Sequence, residues 1–394
     1  MDRRKTLLLV AIPNSIHTAR WIAQIGDQGW DIHLFPSLIG APHPQIENFT
    51  FHHALHREWF SSSRRQPHPG IALLARVTHA VQRKLLAGTF PNWRARQLAH
   101  AVRELRPDIV HSMEIQAAGY LTLAAKEILG THFPPWIVTN WGSDIYLFGR
   151  MKQHQERIRR VLENCDYYSC ECERDVALAR AFGFTKTVLP VNPNSGGFDL
   201  DALEPVRRQV STADRRIIML RGYQGWAGRA LVGLRALERC QDALQGYRVV
   251  IYSAAASVVM AAELFTYRTG IPTRILPAGT PHADMLAFHA QARASIALSI
   301  GDAISTSLLE AMVMGSFPIQ SSTACADEWV EHGFGGLIVP PEDPDAVAAA
   351  IRTALSDDAL VNRAAEVNWQ VAQARLDGAA LKQKAVDMYR GIAP

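Results

Sequence analysis

Ser299-Ile-Gly-Asp302-Ala-Ile304-Ser305-Thr306-Ser307-Leu-Leu-Glu310-Ala-Met-Val-Met-Gly315-Ser-Phe-Pro-Ile319 is the stretch from which the fold can be read. A strand ends near Ser299, and a loop of small residues carries Asp302. A helix starts between Ser305 and Ser307 and stops at Gly315, a residue suited to the left-handed turn that ends helices. A second apolar strand follows from Phe317. Strand, loop, helix, strand is the unit of a parallel sheet covered by helices. Free N–H groups at the helix start can bind phosphate oxygens. A carboxylate nearby can accept two hydrogen bonds from the vicinal hydroxyls of a ribose or hexose. Ser307-Leu-Leu-Glu310 is also a capping box, in which Glu310 would only satisfy a backbone donor. The bare spacing favours the cap. Acid, loop, helix start and both strands together favour a ligand site.

The same rhythm extends outward in both directions. Thr6-Leu-Leu-Leu-Val-Ala-Ile12 is a continuous apolar run, as expected of a parallel strand buried on both faces. Pro13-Asn14-Ser15 then opens a helix over about 16–28. Further strands are expected over 30–35, 107–111, 136–139, 167–170 and 187–190. Pro190-Val-Asn-Pro-Asn-Ser-Gly-Gly197 is the strongest punctuation in the chain and places a domain boundary. Beyond it, strands are expected over 216–220, 248–252, 273–276, 294–298, 317–320 and 336–339. The expected fold is α/β, with two Rossmann-like doubly wound domains facing across a cleft. They cover 1–195 and 196–375, and a carboxy-terminal helix in 376–394 is placed to pack back on the first. In such sheets ligands bind outside the carboxyl ends of the strands.

Composition narrows the class. The 394 residues are 48% hydrophobic and 20% charged, apolar enough for a large core and too apolar for disorder. No apolar run reaches the roughly 20 residues of a membrane span, and Leu7 to Ile12 is too short for a signal-peptide core. Cys165, Cys170, Cys172, Cys240 and Cys325 form no CxxC pair, and their odd number reads as reduced thiols in the cytoplasm. The net charge of +4 is unevenly spread, since residues 57–106 hold ten Lys or Arg against two Glu. Ile71, Leu74, Val77, Val81 and Leu85 share one helical face there, with Arg76, Arg83 and Lys84 largely off it. That helix suits a core-facing position with a solvated basic side. It also suits peripheral contact with an anionic membrane. A nearly balanced remainder argues against nucleic acid.

Asp302-x7-Glu310, then Ala311-Met-x-x-Gly315-x-x-Pro-Ile319, then Glu331-His-Gly-Phe-Gly-Gly-Leu-Ile-Val-Pro-Pro-Glu-Asp-Pro-Asp345, resembles the retaining glycosyltransferases of family 4 over about residues 217–357. The resemblance implies the GT-B fold, sugar transfer from a nucleotide-diphosphate donor with retention at the anomeric carbon, and no cofactor beyond that donor. The family has Glu-x7-Glu, whereas Asp302 here is one methylene shorter. By resemblance Asp302 contacts the donor sugar and Glu310 the ribose, while Ile304, Ser305 and Thr306 bring the helix start to the donor. Met219-Leu-Arg221-Gly222-Tyr-Gln-Gly225-Trp-Ala-Gly228-Arg229 follows a strand and precedes a helix. Its glycines let backbone approach a ligand, and its arginines can meet a diphosphate leaving group. Taken alone, it reads equally as a turn with solvated arginines. The family has Arg and, five residues on, Lys. Arg221 matches, Trp226 stands in the second place, and Arg229 is expected to supply that cation. Arg221, Asp302 and Glu310 are the expected catalytic residues.

In the first half, Thr139-Asn-Trp141-Gly-Ser-Asp144 follows a strand. A buried polar turn explains Ser143 and Asp144 as well as chemistry does. The family often has His where Trp141 stands. Asn14, His17, His111, Trp141 and Asp144 are expected on the acceptor side. Asp199/Asp201 and Asp343/Asp345 have Asp-x-Asp spacing but lie beside Pro/Gly-rich turns, where Asp caps backbone, so no metal is expected. The sequence thus reads as a hexosyltransferase acting on a glycan or lipid-linked acceptor in the cytoplasm or at the inner face of the membrane. Relatives with Trp-Gly-Ser-Asp suggest bacterial surface polysaccharide synthesis. A non-catalytic glycan- or nucleotide-binding relative and a nucleotide-sugar epimerase on the same fold remain as alternatives.

Overall fold

The computed structural model describes residues 4–52, 57–60 and 92–392. The chain divides into two compact units, residues 1–196 with 382–394 and residues 197–381. The helix expected over 71–86 lies outside the described residues, as does most of the basic stretch around it. Among the described residues no helix is long and apolar enough to cross a membrane.

The first unit is built on an eight-stranded sheet: β1 (Thr6–Ala11), β2 (Asp31–Pro36), β3 (Phe49–His52), β4 (Arg57–Phe60), β5 (Ile109–Met113), β6 (Trp136–Thr139), β7 (Tyr167–Ser169) and β8 (Thr187–Val188). The order is β4-β3-β2-β1-β5-β6-β7-β8. Neighbours are parallel except the antiparallel pair β3/β4. Leu7 to Ala11 have no exposed surface, so both faces of β1 demand apolar side chains and the strand does not alternate. The strand order reverses between β1 and β5. Ser15 caps the helix Ile16–Ile25, its side chain accepting from His17 N at 3.2 Å. The sequence reading missed β3 and β4, because each is four residues long and His52 and Arg57 interrupt the apolar pattern.

The last helix, Gly378–Arg390, supplies part of this unit's core. Ala385, Val386, Met388, Tyr389 and Ile392 pack with Leu7, Leu9 and Ile22. The fully buried Tyr389 hydroxyl accepts from Trp21 Nε1 at 2.8 Å and lies 2.6 Å from His111 Nδ1.

The second unit has a six-stranded, wholly parallel sheet: β9 (Ile217–Arg221), β10 (Arg248–Tyr252), β11 (Thr273–Ile275), β12 (Ala292–Ala297), β13 (Phe317–Ser321) and β14 (Leu337–Val339). The order is β11-β10-β9-β12-β13-β14, with the reversal between β9 and β12. β12 starts two residues earlier than the sequence suggests, because Arg293 looks like a solvated loop residue. It is 1% exposed, and its guanidinium donates to Ala354 O at 2.7 Å, Leu355 O at 3.1 Å and Asp358 Oδ1 at 2.6 Å. The helix Thr306–Met314 follows β12 and is buried from Ser307 to Met314. Leu308, Leu309, Met312 and Val313 pack with Trp329, Trp369 and Leu376. Gly315 ends the helix at φ +73°.

Candidate active site

The carboxyl ends of β9 and β12 meet at the switch point of the second sheet, where a crevice for ligands forms in folds of this kind. Arg221 is the last residue of β9. The loop after it is stitched to the loop after β12, with Arg229 N donating to Leu298 O at 3.0 Å and Ile300 N to Ala227 O at 2.9 Å. Two of its glycines serve chain packing rather than a ligand. A Cβ at Gly222 would stand 2.6 Å from Ala254 Cα, and one at Gly228 would stand 2.1 Å from the Tyr223 carbonyl oxygen. Gly225, at φ +142°, has open space where its Cβ would be and is the glycine left to face a ligand.

The structure brings Arg221, Asp302 and Ser305 together. Arg221 Nη1 donates to Asp302 Oδ2 at 3.1 Å and to Ser305 Oγ at 3.2 Å. Ser305 is the N-cap residue, yet its hydroxyl faces Arg221 and makes no cap bond; Leu308 N turns back to Ser305 O at 2.9 Å, and the amides of Thr306 and Ser307 are the donors the helix start offers. Thr306 is the first helical residue. Ile304 contributes backbone only, since its side chain is 4% exposed and packs in the core. Arg229 is corrected. Its guanidinium is turned into its own loop, donating to Gly228 O at 2.9 Å and to Glu342 Oε1 at 2.9 Å. It therefore shapes the loop instead of presenting a free cation.

Glu310 is not a capping residue. The helix begins at Thr306, too early for Ser307 and Glu310 to form the box. The carboxylate is 7% exposed and lies between two imidazoles. His282 Nε2 is 2.8 Å from Oε1, and His289 Nε2 is 3.5 Å from Oε2. Both histidines belong to the helix His282–Gln291, and seven residues is two turns, so they share one face. Behind the carboxylate, the wholly buried His289 shares a 2.9 Å hydrogen bond between Nδ1 and Ser295 Oγ. Burial alone would raise the Glu310 carboxyl. The hydrogen bonds and charge of the two histidines outweigh it and hold the group at about 2. The sequence reading passed over both histidines. Their heptad spacing on one helix was the available signal. A cavity of about 570 Å³ opens beside this helix, lined by Leu276, Pro277, Gly279, Pro281, Asp284 and Phe288. A larger hollow of about 700 Å³ lies at the other end of the sheet, among Ile217, Arg248 and Pro272, away from Arg221.

The first-unit residues divide. His17 and Trp141 stand together with ring centroids 5.3 Å apart, and Asn14 is exposed in the turn that precedes the helix of His17. His111 is corrected: it is 1% exposed, with Nδ1 on Tyr389 and Nε2 2.6 Å from Thr139 Oγ1, so it is a core histidine. Asp144 is also structural in its contacts, accepting from Ile115 N at 2.9 Å and Trp141 N at 2.8 Å. Burial and the neighbouring Glu114 charge push its carboxyl well up. Glu114, which no sequence pattern marked, follows β5 at φ +80°, a strained conformation for a non-glycine residue. Its carboxylate accepts from the Ala117 and Ala118 amides, and burial pushes it up to about 7 against those bonds.

Burial also pushes His111 down to about 3. The unfolded chain therefore binds a proton that the native state refuses between roughly pH 6.5 and 3, and stability falls as pH drops through that window. From pH 7 to pH 5, His111 alone should cost about 2 kcal/mol. Denaturant titrations at the two pH values should show that loss, and His111→Gln should remove it.

Comparison with known proteins agrees with this architecture. Residues 6–168 match the family described as glycosyl transferase 4-like, and residues 218–357 match glycosyl transferases group 1. No curated protein matches the chain in sequence. Similar solved structures include sucrose-phosphate synthase from Thermosynechococcus elongatus, at 15% identity and TM-score 0.68 over 98% of this chain and 99% of that one. Anabaena HepE in complex with UDP-glucose is 15% identical at TM-score 0.66, over 98% of this chain and 99% of that one. A UDP-forming α,α-trehalose-phosphate synthase from Burkholderia xenovorans is 12% identical at TM-score 0.65, over 99% of each chain. With each half matched in this way on the GT-B fold, the chain belongs to the family-4-like glycosyltransferases.

Proposed function

We propose that this glycosyltransferase takes its sugar from a nucleotide-diphosphate donor held by the second unit, and transfers it with retention to a glycan or lipid-linked acceptor held by the first. The observation that carries the reading is the placement of Arg221. It ends a central strand at the switch point and is joined to Asp302 and to the hydroxyl at a helix start. As the bond from the anomeric carbon to the diphosphate breaks, its electrons stay with the diphosphate and the sugar becomes oxocarbenium-like. Arg221 and the helix-start amides would meet that growing negative charge. Asp302 accepts from the sugar hydroxyls and Glu310 from the ribose. A metal is not required to neutralise the leaving group in this scheme. Asn14, His17 and Trp141 are the acceptor-side contacts. Bacterial surface polysaccharide synthesis at the inner face of the membrane is the setting this reading suits.

A thermal-shift panel of UDP-, GDP-, ADP- and dTDP-sugars, with and without a chelator, tests it. One nucleotide class should raise the melting temperature by several degrees, since ligand at ~100 times Kd adds about 2.7 kcal/mol. The chelator should leave that shift unchanged. UDP is the first arm, as HepE is seen with UDP-glucose. No shift with any donor would refute the assignment, and a shift abolished by chelator would refute metal independence.

A further inference from the structure

We infer that His282 is a second ribose-reading residue: it positions the Glu310 carboxylate with one ring nitrogen and accepts a ribose hydroxyl with the other. The inference rests on the reading of the second unit as a nucleotide-sugar site. A diol read by a carboxylate alone needs both carboxylate oxygens. In Glu310 one of them, Oε1, is shared with His282 Nε2 at 2.8 Å, while Oε2 faces the buried His289 at 3.5 Å. Oε1 therefore has one of its two lone pairs already engaged by His282. His282 offers the second acceptor. A carboxylate only accepts, so Nε2 carries the proton shared with Glu310, and whenever the ring is neutral Nδ1 is an acceptor. Among the described residues Nδ1 has no partner. The His282 side chain is 41% exposed against 7% for Glu310, so the ring is the accessible member of the pair. Its backbone is fixed as the first residue of the helix His282–Gln291, after Pro281 at the N-cap. Phe198 lies beside the ring at a centroid distance of 6.3 Å.

The two hydroxyls of a ribose would then donate one to Glu310 and one to His282, and a 2′-deoxy nucleotide would leave one acceptor without its partner. Calorimetric titration of the full chain with UDP, GDP and ADP, each beside its 2′-deoxy counterpart, tests this. The wild type should bind the ribose form of its preferred nucleotide about tenfold more tightly than the deoxy form. His282→Ala should bring that ratio close to one. His282→Gln, whose amide offers one donor and one acceptor, should restore most of it. A structural role would lower both affinities together and leave the ratio alone, and that result would overturn the inference. So would an unchanged ratio in His282→Ala while Glu310→Gln weakens binding, with the nucleotide reading left standing. Failure of the wild type to bind any of the six nucleotides would remove that reading, and this inference with it.

Discussion

Arg221→Ala should lower kcat by about 10²- to 10³-fold, the usual loss when one oriented donor to a developing oxyanion is removed. The effect should fall on turnover, because Arg221 meets charge that grows only as the diphosphate departs. The fold should survive. Arg221 and Asp302 are 27% and 24% exposed in their side chains, so water can reach the Asp302 carboxylate once the guanidinium is gone. Arg221→Lys should recover part of the rate, since it keeps the charge and loses the planar fork that also reaches Ser305. Release of nucleoside diphosphate from the donor, followed beside a melting curve, measures both quantities. Turnover at the wild-type level in Arg221→Ala would show that the leaving group is stabilised elsewhere.

Glu310→Gln should act on binding instead. The substitution keeps the shape of the side chain and removes its charge, so hydroxyl groups of the donor meet a weaker acceptor. Hydrogen bonds to a charged group contribute about 1.5–3 kcal/mol, which corresponds to a rise in donor Kd of roughly 10- to 150-fold. Because the native carboxyl is held at about 2, below its ordinary 4.5, its contribution to stability is complete above about pH 4.5. It is lost as pH falls toward 2, so binding assays near neutrality see only the ionised form. A lowered melting temperature with unchanged donor affinity would return Glu310 to a purely structural role.

Most of the sheet framework was legible because parallel strands buried on both faces leave long apolar runs, as in Leu7 to Ala11. Runs in which a buried polar residue intervenes were misread at their edges. Arg293 inside β12 is the clearest case, since partners some sixty or more residues away, the carbonyls of Ala354 and Leu355, the Asp358 carboxylate and the Ala213 carbonyl, explain it. At the site, Arg221, Asp302 and Glu310 could be named because a strand-loop-helix unit places them at predictable ends. The partners that set their state could not. His282 and His289 meet Glu310 only through tertiary packing of one helix on another. Arg229 looked like a free cation because its partner Glu342 is far along the chain. His111 sat at the end of the expected strand, where functional residues gather, and its contacts with Tyr389 and Thr139 show that it lies inside β5 and faces inward.

That tyrosine bears on how the molecule is made. Its helix begins in the second unit, but from Lys382 onward it belongs to the first. Synthesis delivers chain at about 5–20 residues per second, and domains that emerge early ordinarily fold early. Here the half translated first leaves the ribosome with the place of Tyr389 in its core unfilled, and Trp21 and His111 without their phenol. The contiguous half behind it has all of residues 197–381 before those last residues arrive. The order of completion is thus the reverse of the order of translation, and truncation at Lys382 would injure the first unit rather than the second.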